Sequence, residues 1–176
     1  MPIHLEIALF ALVVAAGIAD FRTRKIPNWL NLSGLILGVG LNTFFLHGAG
    51  LILSAMGFVC AVAIYVTLYL LRGMGAGDVK LMAAVGAIAG PWNWLGIFLI
   101  TALLGGIAAV ALAWANGRLR QTCSNVGLIL QELLHGRPPA RKNPHLDVRN
   151  ESQLRLPHGS VIALGSIAFL FFKANT

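Results

Sequence analysis

An all-α, polytopic membrane bundle of about six transmembrane helices is the fold this sequence predicts, and three observations predict it. Of the 176 residues 57% are hydrophobic, only 11% carry charge, and the apolar residues gather into long runs. An ordinary soluble domain carries roughly 25% charged residues. The runs are built of Gly, Ala, Leu, Val and Ile without strand-like alternation, so helices rather than a barrel satisfy the backbone in lipid. One membrane-embedded domain, 1–176, with a cytoplasmic loop at 116–157, accounts for the whole chain.

The first run, Ile3 to Ala19, is expected to be a retained helix. Gly17, Ile18 and Ala19 resemble a leader cleavage site, but no Lys or Arg precedes the run and the basic cluster follows it, the reverse of a secretory signal. Trp29 to Leu46 and Leu51 to Leu71 are each long enough for a hydrocarbon core about 30 Å thick. Val79 to Gly90 is short, and Trp94 to Ala115 and Leu156 to Phe172 complete the set. Gly34 and Gly38, and Gly86 and Gly90, lie four apart, a spacing that permits close helix contact. Trp29, Trp92 and Trp94 stand at run ends and are expected as interfacial anchors. Within the long loop, Val126, Ile129, Leu130, Leu133 and Leu134 follow helical spacing, and a proline-rich charged linker, Arg137 to Pro144, comes next.

Thirteen basic against six acidic residues give +7. Placing the N-terminus outside puts Arg22, Arg24, Lys25, Arg72, Lys80 and every basic residue of the 116–157 loop on the cytoplasmic side, leaving only Lys173 outside with both termini. The charge therefore reports orientation and contact with the lipid bilayer. No motif points to nucleic acid. Cys60 and Cys123 form no pair and no metal spacing, and the five histidines are scattered, so neither metal nor cofactor is expected.

Of the six acids, Glu132, Asp147 and Glu151 fall in the long loop and Glu6 near the outer end of the first helix. Asp20 ends the first helix and Asp78 opens the fourth, and the charge placement puts both at the cytoplasmic edge. Singly, each has a structural explanation: Asp20 could pair with Arg22, Arg24 or Lys25, and Asp78 could cap its helix through the amides of Lys80 or Leu81. Together they form a pair that can share one proton, one activating water while the other protonates a carbonyl. The glycines of Gly73-Met-Gly-Ala-Gly77 would let an extended peptide backbone approach that pair. Helix dipoles suggest that the proton rests on Asp20, at a helix C-terminus, and that Asp78, at an N-terminus, is the base.

Asp20-Phe-Arg-Thr-Arg-Lys-Ile-Pro-Asn28, followed by Gly75-Ala-Gly-Asp-Val-Lys-Leu81, resembles the prepilin peptidases, a family of GxGD aspartyl proteases. Leu156-Pro-His-Gly-Ser-Val-Ile-Ala-Leu-Gly165 is similar to the family's last-helix motif. The resemblance implies that Asp20 and Asp78 are catalytic and that Gly75, Gly77 and Lys80 meet the substrate. The substrates would be prepilins or pseudopilins whose basic leader is removed at the cytoplasmic face of the inner membrane. Larger members carry a cytoplasmic zinc-binding domain between their first helices and also N-methylate the product. Too few residues separate Asp20 from Trp29 to hold it, so the chain resembles the short peptidase-only members that serve tight-adherence (Flp) pili, and methyl transfer is not expected. A small transporter or proton pathway with paired acids, or an inactive pilus-assembly subunit, are the competing readings; oligomeric state is not legible.

Overall fold

The computed structural model describes residues 1–71, 74–117 and 158–175, and among these described residues there are four helices: α1 (Ile3–Thr23), α2 (Asn28–Leu70), α3 (Ala76–Ala115) and α4 (His158–Ala174). The helical spacing over Val126 to Leu134 and the linker of the long loop lie outside the described residues. α1, α2 and α3 are long and apolar enough to cross a membrane; α4 is a shorter apolar helix.

At 43 and 40 residues, α2 and α3 would each extend about 60 Å if straight, twice a hydrocarbon core. Neither is straight. α2 breaks at His47 (φ 54, ψ −135), and its halves double back, for Ser54 Oγ on the second limb donates to the carbonyl of Gly38 on the first, 3.3 Å away. α3 breaks at Gly90 (φ 73, ψ 171), a conformation glycine adopts without steric cost, and Pro91 then starts the second limb. The six runs read from the sequence thus map onto α1, the two limbs of α2, the two limbs of α3, and α4. The turn expected over His47 to Gly50 contracts to a single non-helical residue.

Pro91 has no N–H to return to the carbonyl of Ala87, which would leave a bare acceptor in an apolar interior. Two buried side chains of α2 fill the gap: Ser54 Oγ donates to Ala87 O at 2.7 Å and Asn42 Nδ2 at 3.1 Å. Asn42 also reaches Ile88 O, at 3.2 Å.

Glycines set the register of the limbs. A Cβ on Gly57 would overlap the carbonyl oxygen of Gly86, and one on Gly38 would come 2.8 Å from the backbone nitrogen of Ile88. α4 runs antiparallel to the second limb of α3, pairing Lys173 with Asn93, Phe169 with Gly96, Gly165 with Thr101 and Val161 with Gly105. It also runs antiparallel to α1, where Ala163 fits the surface of Gly17 and Ser160 Oγ donates to Gly17 O at 3.1 Å.

Trp29 and Trp92, 70% and 81% exposed, have the placement expected of interfacial anchors. Trp94 does not. It is 1% exposed and stacks on Phe98 with ring centroids 5.5 Å apart. The helix extends back to Pro91, so Trp94 lies inside a limb rather than at its end. The bundle gathers Met1, His4, Phe45, Asn93 and Lys173 at one end and Asp20, Ile26, Gly77 and Gly159 at the other.

Candidate active site

The last turn of α1 is closed by Arg24, whose left-handed backbone (φ 51, ψ 28) aims its N–H at the carbonyl of Asp20, 2.8 Å away. Thr23 Oγ1 donates to Ala19 O at 2.8 Å and to Lys25 O at 3.0 Å, fixing the same turn. Pro27 then opens α2, its carbonyl receiving the N–H of Leu30 at 3.1 Å. This short, pinned hinge leaves Phe21 to Lys25 exposed while Asp20 turns inward to 7% exposure.

Inside, the carboxylate does not pair with the basic cluster that follows it. Oδ2 instead accepts the backbone N–H of Ser160, 3.1 Å away across 140 residues of chain. The contact depends on Gly159, where a Cβ would stand 3.0 Å from both Cβ and Cγ of Asp20 and 2.9 Å from Cδ1 of Ile26.

Asp78 is the third residue of α3, half-buried. It does not bond the amides of Lys80 or Leu81; its Oδ2 reaches backwards to accept the N–H of Gly75, 3.2 Å away, satisfying one of the free donors at the helix start. A Cβ on Gly75 would come 3.2 Å from that oxygen, so the absent side chain clears the carboxylate's position. Gly77 faces Ile26 at 3.7 Å, ordinary packing distance, and has no positive φ. Lys80 is exposed, its ammonium donating to Asn28 Oδ1 at 2.9 Å and tying α3 to the start of α2.

Ile26 therefore lies against both Gly77, next to Asp78, and Gly159, which packs on Asp20. The two aspartates expected at one end are placed there. Each meets a helix N-terminus: Asp78 that of α3, Asp20 that of α4. The dipole argument that leaves the proton on Asp20 loses its basis, because α4 sets a positive helix end against the negative end of α1. Among the described residues no cluster of three or more His, Cys, Asp or Glu could hold a metal.

The profile of the type IV leader peptidase family matches residues 7–110, more than half of the chain and including both aspartates. The chain belongs to the type IV leader peptidase family. It is similar to prepilin leader peptidase/N-methyltransferases, being 36% identical over 105 residues to that of Escherichia coli K12, covering 56% of this chain and 46% of the relative. The protein of that name in Xanthomonas campestris is 34% identical over 122 residues (66% and 42%), and that of Legionella pneumophila 32% over 137 residues (73% and 47%). The matched stretch spans less than half the length of these relatives. No solved structure matches the chain significantly.

Gly159, Ser160 and His158 are the site residues that sequence reasoning left without a role. Their signal was present only as the last-helix motif; what each one touches depends on α4 meeting α1.

Proposed function

We propose that this member of the type IV leader peptidase family is a membrane aspartyl endopeptidase that removes the basic leader of prepilin-like substrates at the cytoplasmic face of the inner membrane. The observation that supports the reading is the placement of Asp20 and Asp78 at one end of the bundle, at the ends of α1 and α3, each receiving a backbone N–H at a helix N-terminus. Two carboxylates so placed can hold one proton between them. The ionised one takes a proton from water as the oxygen attacks the scissile carbonyl, and the protonated one gives its proton to the carbonyl oxygen. Collapse of the resulting diol breaks the C–N bond, the proton taken from water passing to the departing amine. Gly75 and Gly77 leave the turn before Asp78 open to an extended peptide, and Lys80 lies at its rim. The reading is confined to peptide cleavage, with no methyl transfer.

The test is cleavage of a candidate prepilin by purified protein in lipid vesicles. Asp20→Asn and Asp78→Asn should each abolish leader loss while leaving insertion and melting unchanged. Processing at a comparable rate by either variant sinks the paired mechanism, and no processing by the unaltered protein favours an inactive assembly subunit.

A further inference from the structure

We propose that Ile26 is a positioning residue: its side chain is the spacer that fixes the turn before Asp78 against the start of α4, where Asp20 is held. This rests on the reading of Asp20 and Asp78 as the working pair and adds the side chain that sets their placement.

Ile26 stands in the short link between α1 and α2, and the residues on either side of it are fixed. Thr23 Oγ1 donates to the carbonyl of Lys25 at 3.0 Å, and the ring of Pro27 confines Ile26 to extended backbone. Phe21 to Lys25 are exposed, whereas Ile26 is half-buried and packs against the core. Its branch at Cβ restricts χ1, so the side chain is stiff as well as anchored.

Two glycines receive this side chain. The Cβ position of Gly77 lies 3.7 Å from Cβ of Ile26 and 3.9 Å from its Cγ1 and Cδ1, and that of Gly159 lies 2.9 Å from Cδ1. Neither glycine has a side chain that could yield, so on both sides Ile26 bears on main chain. Gly77 directly precedes Asp78. Gly159 is held between Cδ1 of Ile26 and Asp20, whose Cβ and Cγ both lie 3.0 Å from its Cβ position. The next residue, Ser160, donates the N–H that Asp20 Oδ2 accepts at 3.1 Å. Shortening Ile26 therefore loosens the main chain beside both acids at once. A misplacement of about 1 Å can cost about 100-fold in rate.

The two contacts separate by atom. Ile26→Val deletes Cδ1, the atom nearest Gly159, and keeps Cβ and Cγ1 against Gly77; Ile26→Ala deletes everything beyond Cβ. In prepilin cleavage, kcat should fall about threefold or more in Ile26→Val and about 10- to 100-fold in Ile26→Ala, with KM within about twofold. Ile97→Val, the same deletion at a fully buried position in the second limb of α3, should lower Tm and leave kcat unchanged. Rescue is the sharper test. Loss of Cδ1 gives the start of α4 room to move off Asp20, so Gly159→Ala should cleave at least about threefold faster in the Ile26→Val background than alone. A further readout needs no substrate. The N–H of Ser160 lies in the first turn of α4, where no helical acceptor exists, so its protection from hydrogen exchange reports the bond to Asp20. Exchange there should quicken at least about threefold in both Ile26 variants and hold its rate in Ile97→Val. If the unaltered protein processes no prepilin, the peptidase reading fails while Ser160 exchange still tests the spacer. Wild-type kcat in a folded Ile26→Ala, additive losses in the double variant, or unchanged exchange at Ser160 overturns the assignment.

Discussion

Gly57→Ala tests whether glycine contacts at mid-bundle fix the limb that carries Asp78. The added methyl carbon would overlap the carbonyl oxygen of Gly86 and stand 2.8 Å from its carbon and 2.9 Å from Cα of Gly90. All three are backbone atoms, so no side chain can swing aside and the limbs themselves must separate. Overpacking of this kind costs about 1–3 kcal/mol, and here the upper half applies. For a chain of this size that lowers Tm by about 4–10 °C. Gly40→Ala is the matched control: nothing lies within 4 Å of its added carbon, so only helix propensity acts, worth up to about 1 kcal/mol in the stabilising direction. Gly86 lies two turns beyond Asp78 on the same limb, so the displacement should also lower leader cleavage beyond the loss of folded protein. Thermal melting of both variants in one detergent, with cleavage measured well below Tm, reads both effects. A Gly57→Ala Tm at or above wild type would refute the reasoning, as would shifts of the same sign in both variants.

Gly159→Ala should act locally: its methyl meets Asp20 at 3.0 Å, so leader cleavage should fall at least about tenfold with Tm little changed, and unaltered cleavage would mean that α4 does not position Asp20. Arg24→Gly relieves a left-handed residue at the end of α1 and should raise stability by about 1 kcal/mol, read as a Tm higher by about 2–4 °C; a lower Tm would show that the Arg24 side chain matters more than its backbone. Ser54→Ala removes the shortest donor to Ala87 O but leaves Asn42 in place, so a loss of about 1 kcal/mol is expected by melting, and Asn42→Leu should cost more.

The apolar runs and the placement of Asp20 and Asp78 at one end of the bundle were legible because both follow from one-dimensional features: run length, and basic residues set between runs. Part of the glycine packing was legible too, since a spacing of four places Gly34 with Gly38 on one helix face and each meets a neighbour, whereas Gly57, which has no glycine four residues away, carried no such signal. Trp94 was misread because a tryptophan near the end of an apolar run has the same local pattern whether it anchors at an interface or begins a buried limb. The difference came from Pro91 starting the limb three residues earlier. Arg24 gave no turn signal, since the left-handed cap usually belongs to glycine and the sequence has arginine there. The partner of Asp20 was out of reach for another reason: Ser160 contributes a backbone N–H, which no side-chain pattern encodes, across 140 residues.

That separation bears on how the protein is made. The chain emerges with α1 first and α4 last, and the bond that orients Asp20 waits for the final helix. α2 and α3 can close on each other beforehand, through Gly57, Gly86, Asn42 and Ser54, without any residue of α4. A nascent chain lacking its last segment would thus hold both carboxylates but not their mutual arrangement. In the order of synthesis, the backbone N–H that Asp20 accepts is supplied only after α2 and α3 have been made.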